Sequence, residues 1–236
     1  MTAGSMRDGY IDKVYGRRQA KPLKPRQAAL IDALLPKLAI PDGDAPIDLE
    51  ALFPGCDEFH FEIGFGGGEH LAWQAQARPG AGFIGAEPFL NGVGKLLAQV
   101  DDLGLANVRV VCGDARPALA RTPDAALARL YVLHPDPWPK KRHHKRRMVS
   151  PWLFAEAART LKVGGEMRVS SDRADYLRTT LMHARAEPRL VWTARTAADW
   201  RVPPADWPET RYGAKARLAG RPPAHLIFQR APGPDR

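Results

Sequence analysis

The chain has 236 residues, enough for one large domain or one domain with an extension, and at that length a single core buries most of its apolar surface. Its apolar runs fall far short of the roughly 20 residues that cross a bilayer, and no apolar stretch follows the N-terminal charges, so neither a membrane span nor a signal peptide is expected. A formal net charge of +9 points to a polyanionic partner, nucleic acid first, and the two cysteines, Cys56 and Cys112, lack a CxxC companion and fit a reducing cytosol.

Residues 1–40 read as a basic N-terminal arm with a short helix, and 41–236 as one domain. In the arm, Arg7, Lys13, Arg17, Arg18, Lys21, Lys24 and Arg26 stand against only Asp8 and Asp12. The leucines at 30, 34 and 38 predict a helix from Gln27 to Leu38, and the Pro, Gly and Asp content of 40–56 predicts a connection. Strand–helix units then begin. Phe59, Phe61 and Ile63 alternate as a strand, and a glycine loop leads into a helix from Glu69 to Gln76. Phe83 to Ala86 is a second strand, followed by apolar residues at helical spacing from Leu90 to Val100. Val108 to Cys112 and Leu127 to Leu133 are the third and fourth strands. Ser150-Pro151 starts a helix that Gly164-Gly165 is expected to close. Strands at Glu166–Ser171, Arg189–Thr193 and Leu226–Gln229 follow, with a helix from Ala174 to Ala186 after the first of them. Strands alternating with helices predict an α/β fold, a parallel sheet with helices on both faces, whose ligands sit beyond the C-terminal strand ends.

Four carboxylates stand at four successive strand ends: Glu62, Glu87, Asp114 and Asp136. The loop after the first strand has glycines at 64, 66 and 68, where a dinucleotide site would want its third glycine at 69, which is Glu69. GxGxG lets the backbone approach a ligand that has no pyrophosphate. Glu87, about 20 residues on, suits a ribose diol, and Asp114 suits the exocyclic amine of adenine. An adenosine with a small cationic tail fits this set, and S-adenosylmethionine has that shape.

The segment PDPWPKKRHHKRR, 135–147, is the most unusual in the chain. Lys140, Lys141, Arg142, Lys145, Arg146 and Arg147 crowd between a core strand and a core helix, beside the proposed cofactor site. Phosphate contacts would offset their mutual repulsion. Trp138 offers either a stacking face for a base or a packing group over the strand end. Pro135 and Pro137 keep Asp136 out of a helix and near the crevice. His143 and His144 are adjacent, do not share a helix face and have no third ligand spaced nearby, so no metal site is expected.

The arm YGRRQAKPLKPRQ, the loop EIGFGGGEHL, GAEPFLNGV, CGDAR, PDPWPKKRHHKRR, the SSD after the fifth strand and the TRY near the C-terminus occur in one order from about Tyr15 to Arg230. In these the chain resembles the bacterial tRNA (guanine-N7-)-methyltransferases. The resemblance implies a Rossmann-like class I methyltransferase domain over 41–236, with a mostly parallel seven-stranded sheet whose last strand is antiparallel. It implies S-adenosylmethionine as donor and the variable-loop guanosine of tRNA, position 46 by convention, as acceptor. It places the cofactor acids on Glu62, Glu87 and Asp114, with Gly64, Gly66, Gly68 and Asp136 beside them. It places the catalytic aspartate on Asp136 and substrate contacts on Lys140, Asp172, Thr210, Arg211 and Tyr212. The family's last motif usually ends in glutamate, TxxE, where this chain has Gly213; Glu209 is the nearby carboxylate in sequence.

Guanine N7 carries a lone pair and no proton, so Asp136 is expected to act by position and by favouring the purine cation, not as a general base. Other readings are a methyltransferase acting on another RNA position or a non-tRNA substrate, and a non-catalytic RNA-binding relic, which the intact crevice acids oppose. A nicotinamide-dependent oxidoreductase is opposed by the glycine spacing. A cytoplasmic enzyme is expected, monomeric, with a dimer left open.

Overall fold

The computed structural model describes residues 18–233. Arg7, Asp8, Asp12, Lys13 and Arg17 of the arm, and the start of the resemblance at Tyr15, lie outside the described residues. The elements run α1 (Pro25–Ala33), α2 (Leu35–Leu38), α3 (Leu49–Leu52), β1 (Glu58–Ile63), α4 (Glu69–Ala77), β2 (Ala81–Ala86), α5 (Leu90–Leu103), β3 (Val108–Val111), α6 (Ala115–Arg121) and β4 (Leu127–Leu133). A 3-10 helix (Lys141–Arg146) follows, then α7 (Pro151–Thr160), β5 (Leu161–Ser171), α8 (Ala174–Ala186), β6 (Leu190–Trp192), α9 (Ala198–Arg201), α10 (Arg211–Leu218) and β7 (Ala224–Arg230).

The seven strands form one sheet in the order β3-β2-β1-β4-β5-β7-β6. Neighbours from β3 to β5 pair parallel, while β7 runs antiparallel to both β5 and β6. This is the Rossmann-like, mostly parallel architecture expected. The strand order reverses between β1 and β4, which pair Ile63 with Val132 at their C-terminal ends. A crevice opens at such a reversal because the crossovers leave on opposite faces.

Alternation along the strands divides the apolar residues between two layers. Ile84, Ala86, Leu130, Val132 and Met167 face α3, α6, α7 and α8, while Phe83, Val108 and Val110 face α4 and α5. Tyr131 and Leu133, on alternate positions of β4, pack with Trp207 in a smaller cluster. Below it Asp206 accepts from Arg168 at 2.8 Å, Arg129 at 2.7 Å and Arg78 at 3.0 Å, which ties the segment before α10 to the sheet.

Several boundaries differ from the sequence reading. The expected helix from Gln27 to Leu38 starts at Pro25 and is split at Leu34 into α1 and α2. Pro36 sits in the first turn of α2, where its missing N–H costs nothing. Within 40–56, Asp48 caps the extra turn α3 by accepting from the Ala51 N–H at 2.9 Å. α7 stops at Thr160, and Gly164-Gly165 lies inside β5. A side chain at Gly165 would meet the Leu127 and Ala128 carbonyls at 3.0 Å, so this glycine admits β4 at the register shift between the two strands. The short helices α6, α9 and α10 were not expected; α6 and α10 are capped by Asp114 and Thr210.

Candidate active site

One cavity of about 460 Å³ lies over the C-terminal ends of β1, β2, β3 and β4. That is the size range of small-molecule and cofactor sites. Glu62, Gly64, Gly66, Glu87, Asp114 and Asp136 line it, as do Thr210, Arg211 and Tyr212 from the start of α10. Gly68, Lys140 and Asp172 are not on its wall. Gly68 lies behind the loop against Leu96, Lys140 is exposed, and Asp172 accepts from the Arg221 guanidinium at 2.9 Å.

The GxGxG spacing has a backbone cause. Gly64, Gly66 and Gly68 have φ of 71°, 59° and 81°, the left-handed region that favours glycine, while the intervening Phe65 and Gly67 do not. The loop is closed from above by α5. A Cβ at Gly92 would stand 2.2 Å from the Gly66 carbonyl oxygen, so only glycine lets this helix approach.

Glu87 is buried and anchors the loop. Its Oε2 accepts from the Gly66 N–H at 2.8 Å and its Oε1 from the Phe89 N–H at 2.9 Å. Each oxygen keeps a second lone pair for a hydroxyl donor. Burial pushes its carboxyl above the usual range, the two N–H bonds pull it back, and the negative charges of Asp136 and Glu62 push it up again. Those last contributions come from two of the other expected carboxylates. Asp136 is exposed to the cavity, yet the concave wall around it removes enough water to raise its carboxyl too. A cationic ligand would favour the ionised form of Glu87.

Glu62 is fully buried and held by a relay that sequence reading missed. Gln74 donates its amide to the Asp206 carbonyl at 2.7 Å and to His70 Nε2 at 3.2 Å. His70 Nε2 therefore accepts, and its Nδ1–H donates to Glu62 Oε2 at 2.7 Å. Eight residues separate Glu62 from His70, so only the strand–loop–helix turn makes them neighbours. Asp114 is engaged locally: it accepts from the Arg116 N–H at 3.0 Å and pairs with the Arg116 guanidinium at 2.6 Å. An adenine amine there would share the carboxylate with that arginine.

The basic segment borders the same cavity through Lys145, Arg146 and Arg147. Its members divide. Lys140, Lys141, Arg142 and Lys145 are exposed. Arg147 is buried: it pairs with Asp175, donates to the Pro137 carbonyl at 2.9 Å and lies 5.0 Å from the Tyr176 ring centroid. It fastens the segment to α8 and is not a free phosphate contact, contrary to the sequence expectation. Trp138 lines the cavity with φ of 40° and carries the Arg146 guanidinium 4.9 Å from its ring centroid, with His143 edge-on at 5.8 Å. Glu209 pairs with Arg217 and does not reach the cavity wall. Among the described residues no group of three or more His, Cys, Asp or Glu could hold a metal ion, and no helix is long and apolar enough to cross a membrane.

The profile of a protein family described as "Putative methyltransferase" matches residues 57–226, which takes in β1 and every cavity-lining residue named above. A tRNA (guanine-N(7)-)-methyltransferase of Rhodospirillum rubrum is 51% identical over 226 residues, 93% of this chain and 88% of that protein. The chain belongs to the tRNA (guanine-N7-)-methyltransferase family. A relative of the same name from Rhizobium meliloti is 48% identical over 219 residues, covering 92% of this chain and 94% of its own length. Among solved structures, the aminoglycoside resistance methyltransferase NpmB1 superposes with a TM-score of 0.55 at 16% identity, over 78% of this chain and 92% of that one. That likeness carries the fold alone.

Proposed function

We propose that this methyltransferase transfers the methyl group of S-adenosylmethionine to N7 of a guanosine in tRNA, the variable-loop guanosine at position 46. The observation that carries this reading is the single cavity shared by the glycine loop, the buried acids Glu62 and Glu87, and Asp136, with a basic rim beside it. Bound S-adenosylmethionine supplies an electrophilic methyl carbon on a sulfonium. Glu87 would accept the ribose hydroxyls, Asp114 lies where the adenine amine would reach, and Glu62 would hold the ammonium of the amino-acid tail. Gly64, Gly66 and Gly68 keep the backbone low beneath it.

Asp136, near the end of β4, faces the acceptor base. N7 has no proton to lose, and the purine gains positive charge, so a fixed carboxylate lowers the barrier by electrostatics and position. Thr210, Arg211 and Tyr212 would contact the substrate from the facing wall, and Lys140 and Asp172 from outside the cavity. Residues 1–40 would act as an RNA-binding arm and helix, and 41–236 as the methyltransferase domain. The described end of that arm lies against α5: Leu90 N–H donates to the Arg18 carbonyl at 2.8 Å, and Asn91 to the Lys21 carbonyl at 3.0 Å. We place the enzyme in the cytoplasm and take it as a monomer.

The test is direct. The protein is incubated with methyl-labelled S-adenosylmethionine and unmodified bulk tRNA, and the labelled nucleoside is identified after digestion. 7-Methylguanosine at the variable loop is expected. A different methylated nucleoside, or none, overturns the reading.

A further inference from the structure

His134 follows directly on the end of β4, before the prolines at 135, 137 and 139 and two residues ahead of Asp136. Its backbone is unusual. φ is 49°, a left-handed conformation that is rare for a residue with a side chain, and its N–H donates to the Ser170 carbonyl at 2.8 Å. The residue lines the cavity together with Asp136 and Tyr212. The ring lies nearly parallel to Tyr212, centroids 6.4 Å apart at 30°. Among the described residues neither ring nitrogen has a hydrogen-bond partner. The residue is half-buried and both nitrogens are therefore left to water or to a group that enters the cavity.

The neighbouring helix contributes no side chain beyond Tyr212 at this point. Gly213 of α10 lies close to the ring, and a Cβ there would come to 3.7 Å from His134 Nε2. A longer side chain at 213 would stand in front of the imidazole. Burial holds the ring below the ordinary histidine range, partly opposed by the charge of Asp172, so it is neutral and offers one N–H donor. The other histidine of this region, His225, is no rival: it is buried edge-on against Trp207 at 4.8 Å and is absent from the cavity wall.

We infer that His134 is a specificity-determining residue whose imidazole N–H donates to O6 of the target guanine while N7 lies beside Asp136. N7 and O6 share one edge of guanine, so a base presenting N7 to Asp136 presents O6 to the neighbouring wall. Adenine carries an amine, a donor, at the same place. The inference rests on the guanosine-N7 reading above.

A cycle between side chain and base tests it. Wild type, His134→Ala and His134→Gln are compared in single-turnover methyl transfer to tRNA carrying guanosine or 2-aminopurine riboside at the target position. 2-Aminopurine keeps N7 and lacks O6. Wild type should prefer guanosine by about tenfold, one directed hydrogen bond in a dry site. His134→Ala should lose that preference by slowing guanosine alone, and His134→Gln, which retains an N–H donor, should recover part of it. S-adenosylhomocysteine affinity by calorimetry should be unchanged in all three, which establishes that the variants fold. If His134→Ala fails to bind it, His134→Gly makes the same truncation and suits φ of 49°. Equal slowing of both substrates by the truncation overturns the assignment and leaves His134 a structural residue. Failure of wild type to form 7-methylguanosine overturns the underlying reading instead, and the assignment with it.

Discussion

Gly92→Ala separates local propensity from tertiary constraint, because the two predict opposite signs. On helix propensity alone, alanine in α5 should stabilise by about 0.5–1 kcal/mol. The new methyl, however, would lie 2.2 Å from the Gly66 carbonyl oxygen and 3.2 Å from Glu87 Cγ. The first of these atoms is backbone in a loop whose three left-handed glycines leave it little freedom, so the strain cannot be shed by turning a side chain. Overpacking of this kind costs about 1–3 kcal/mol, which exceeds the propensity gain. The relief available is for α5 and the loop to part, and that lengthens the 2.8 Å bond from Gly66 N–H to Glu87. A hydrogen bond to a charged group is worth about 1.5–3 kcal/mol, so cofactor affinity should suffer together with stability. Gly94→Ala is the control. Its methyl meets Gln27 Cβ of α1 at 3.1 Å, no loop atom is near, and α1 lies at the edge of the fold. The assay is thermal unfolding combined with calorimetric titration of S-adenosylhomocysteine. Gly92→Ala should lower both Tm and affinity, whereas Gly94→Ala should leave affinity unchanged. A Gly92→Ala protein with raised or unchanged Tm and unaltered affinity would refute the reasoning.

Glu87→Ala should weaken cofactor binding by the loss of hydrogen bonds worth roughly 1.5–3 kcal/mol each, and unchanged calorimetric affinity would sink the assignment. Because burial raises the Glu87 carboxyl above its ordinary 4.5, the proton is held more tightly in the fold than in the unfolded chain. Ionisation of Glu87 thus opposes folding as pH rises through that raised value, whereas cofactor affinity should fall as pH drops through it; an affinity midpoint at or below 4.5 would contradict the direction. Asp136→Asn should cut the single-turnover methyl-transfer rate about 10²–10³-fold while tRNA affinity falls less, and a near-normal rate would reduce Asp136 to a structural cap on the strand end. Deleting residues 1–27 should weaken tRNA binding and flatten its salt dependence by about one unit per lost phosphate contact, with cofactor affinity intact; the parent's slope retained in the truncated protein would remove the arm from the interface.

Much of the site is legible in the sequence because a parallel sheet converts order along the chain into proximity. Each strand delivers its C-terminal residue to the same edge, so Glu62, Glu87, Asp114 and Asp136 can be gathered by counting strands. The glycines at 64, 66 and 68 are legible for a different reason: a left-handed backbone excludes side chains and so leaves a mark in composition. Caps such as Ser150 before Pro151 are local chemistry, and they mark helix starts well. Helix ends and short helices are less well marked. Gly164-Gly165 reads as a helix stop, yet what decides it is that β5 must pass the Leu127 and Ala128 carbonyls. Contacts between distant segments leave no periodic trace at all. His70 serves Glu62 only because α4 folds back over β1, and Arg147 is withdrawn from the basic run only because Asp175 of α8 lies beneath it. His134 faces Tyr212 and Gly213 across nearly eighty residues of chain, and that meeting follows from Asp206 anchoring the segment before α10 to Arg78, Arg129 and Arg168. Backbone conformation and hydrophobic period are properties of neighbours in sequence and can be read from it. Which walls close a cavity is a property of packing, and it is settled only when the sheet order brings those walls together.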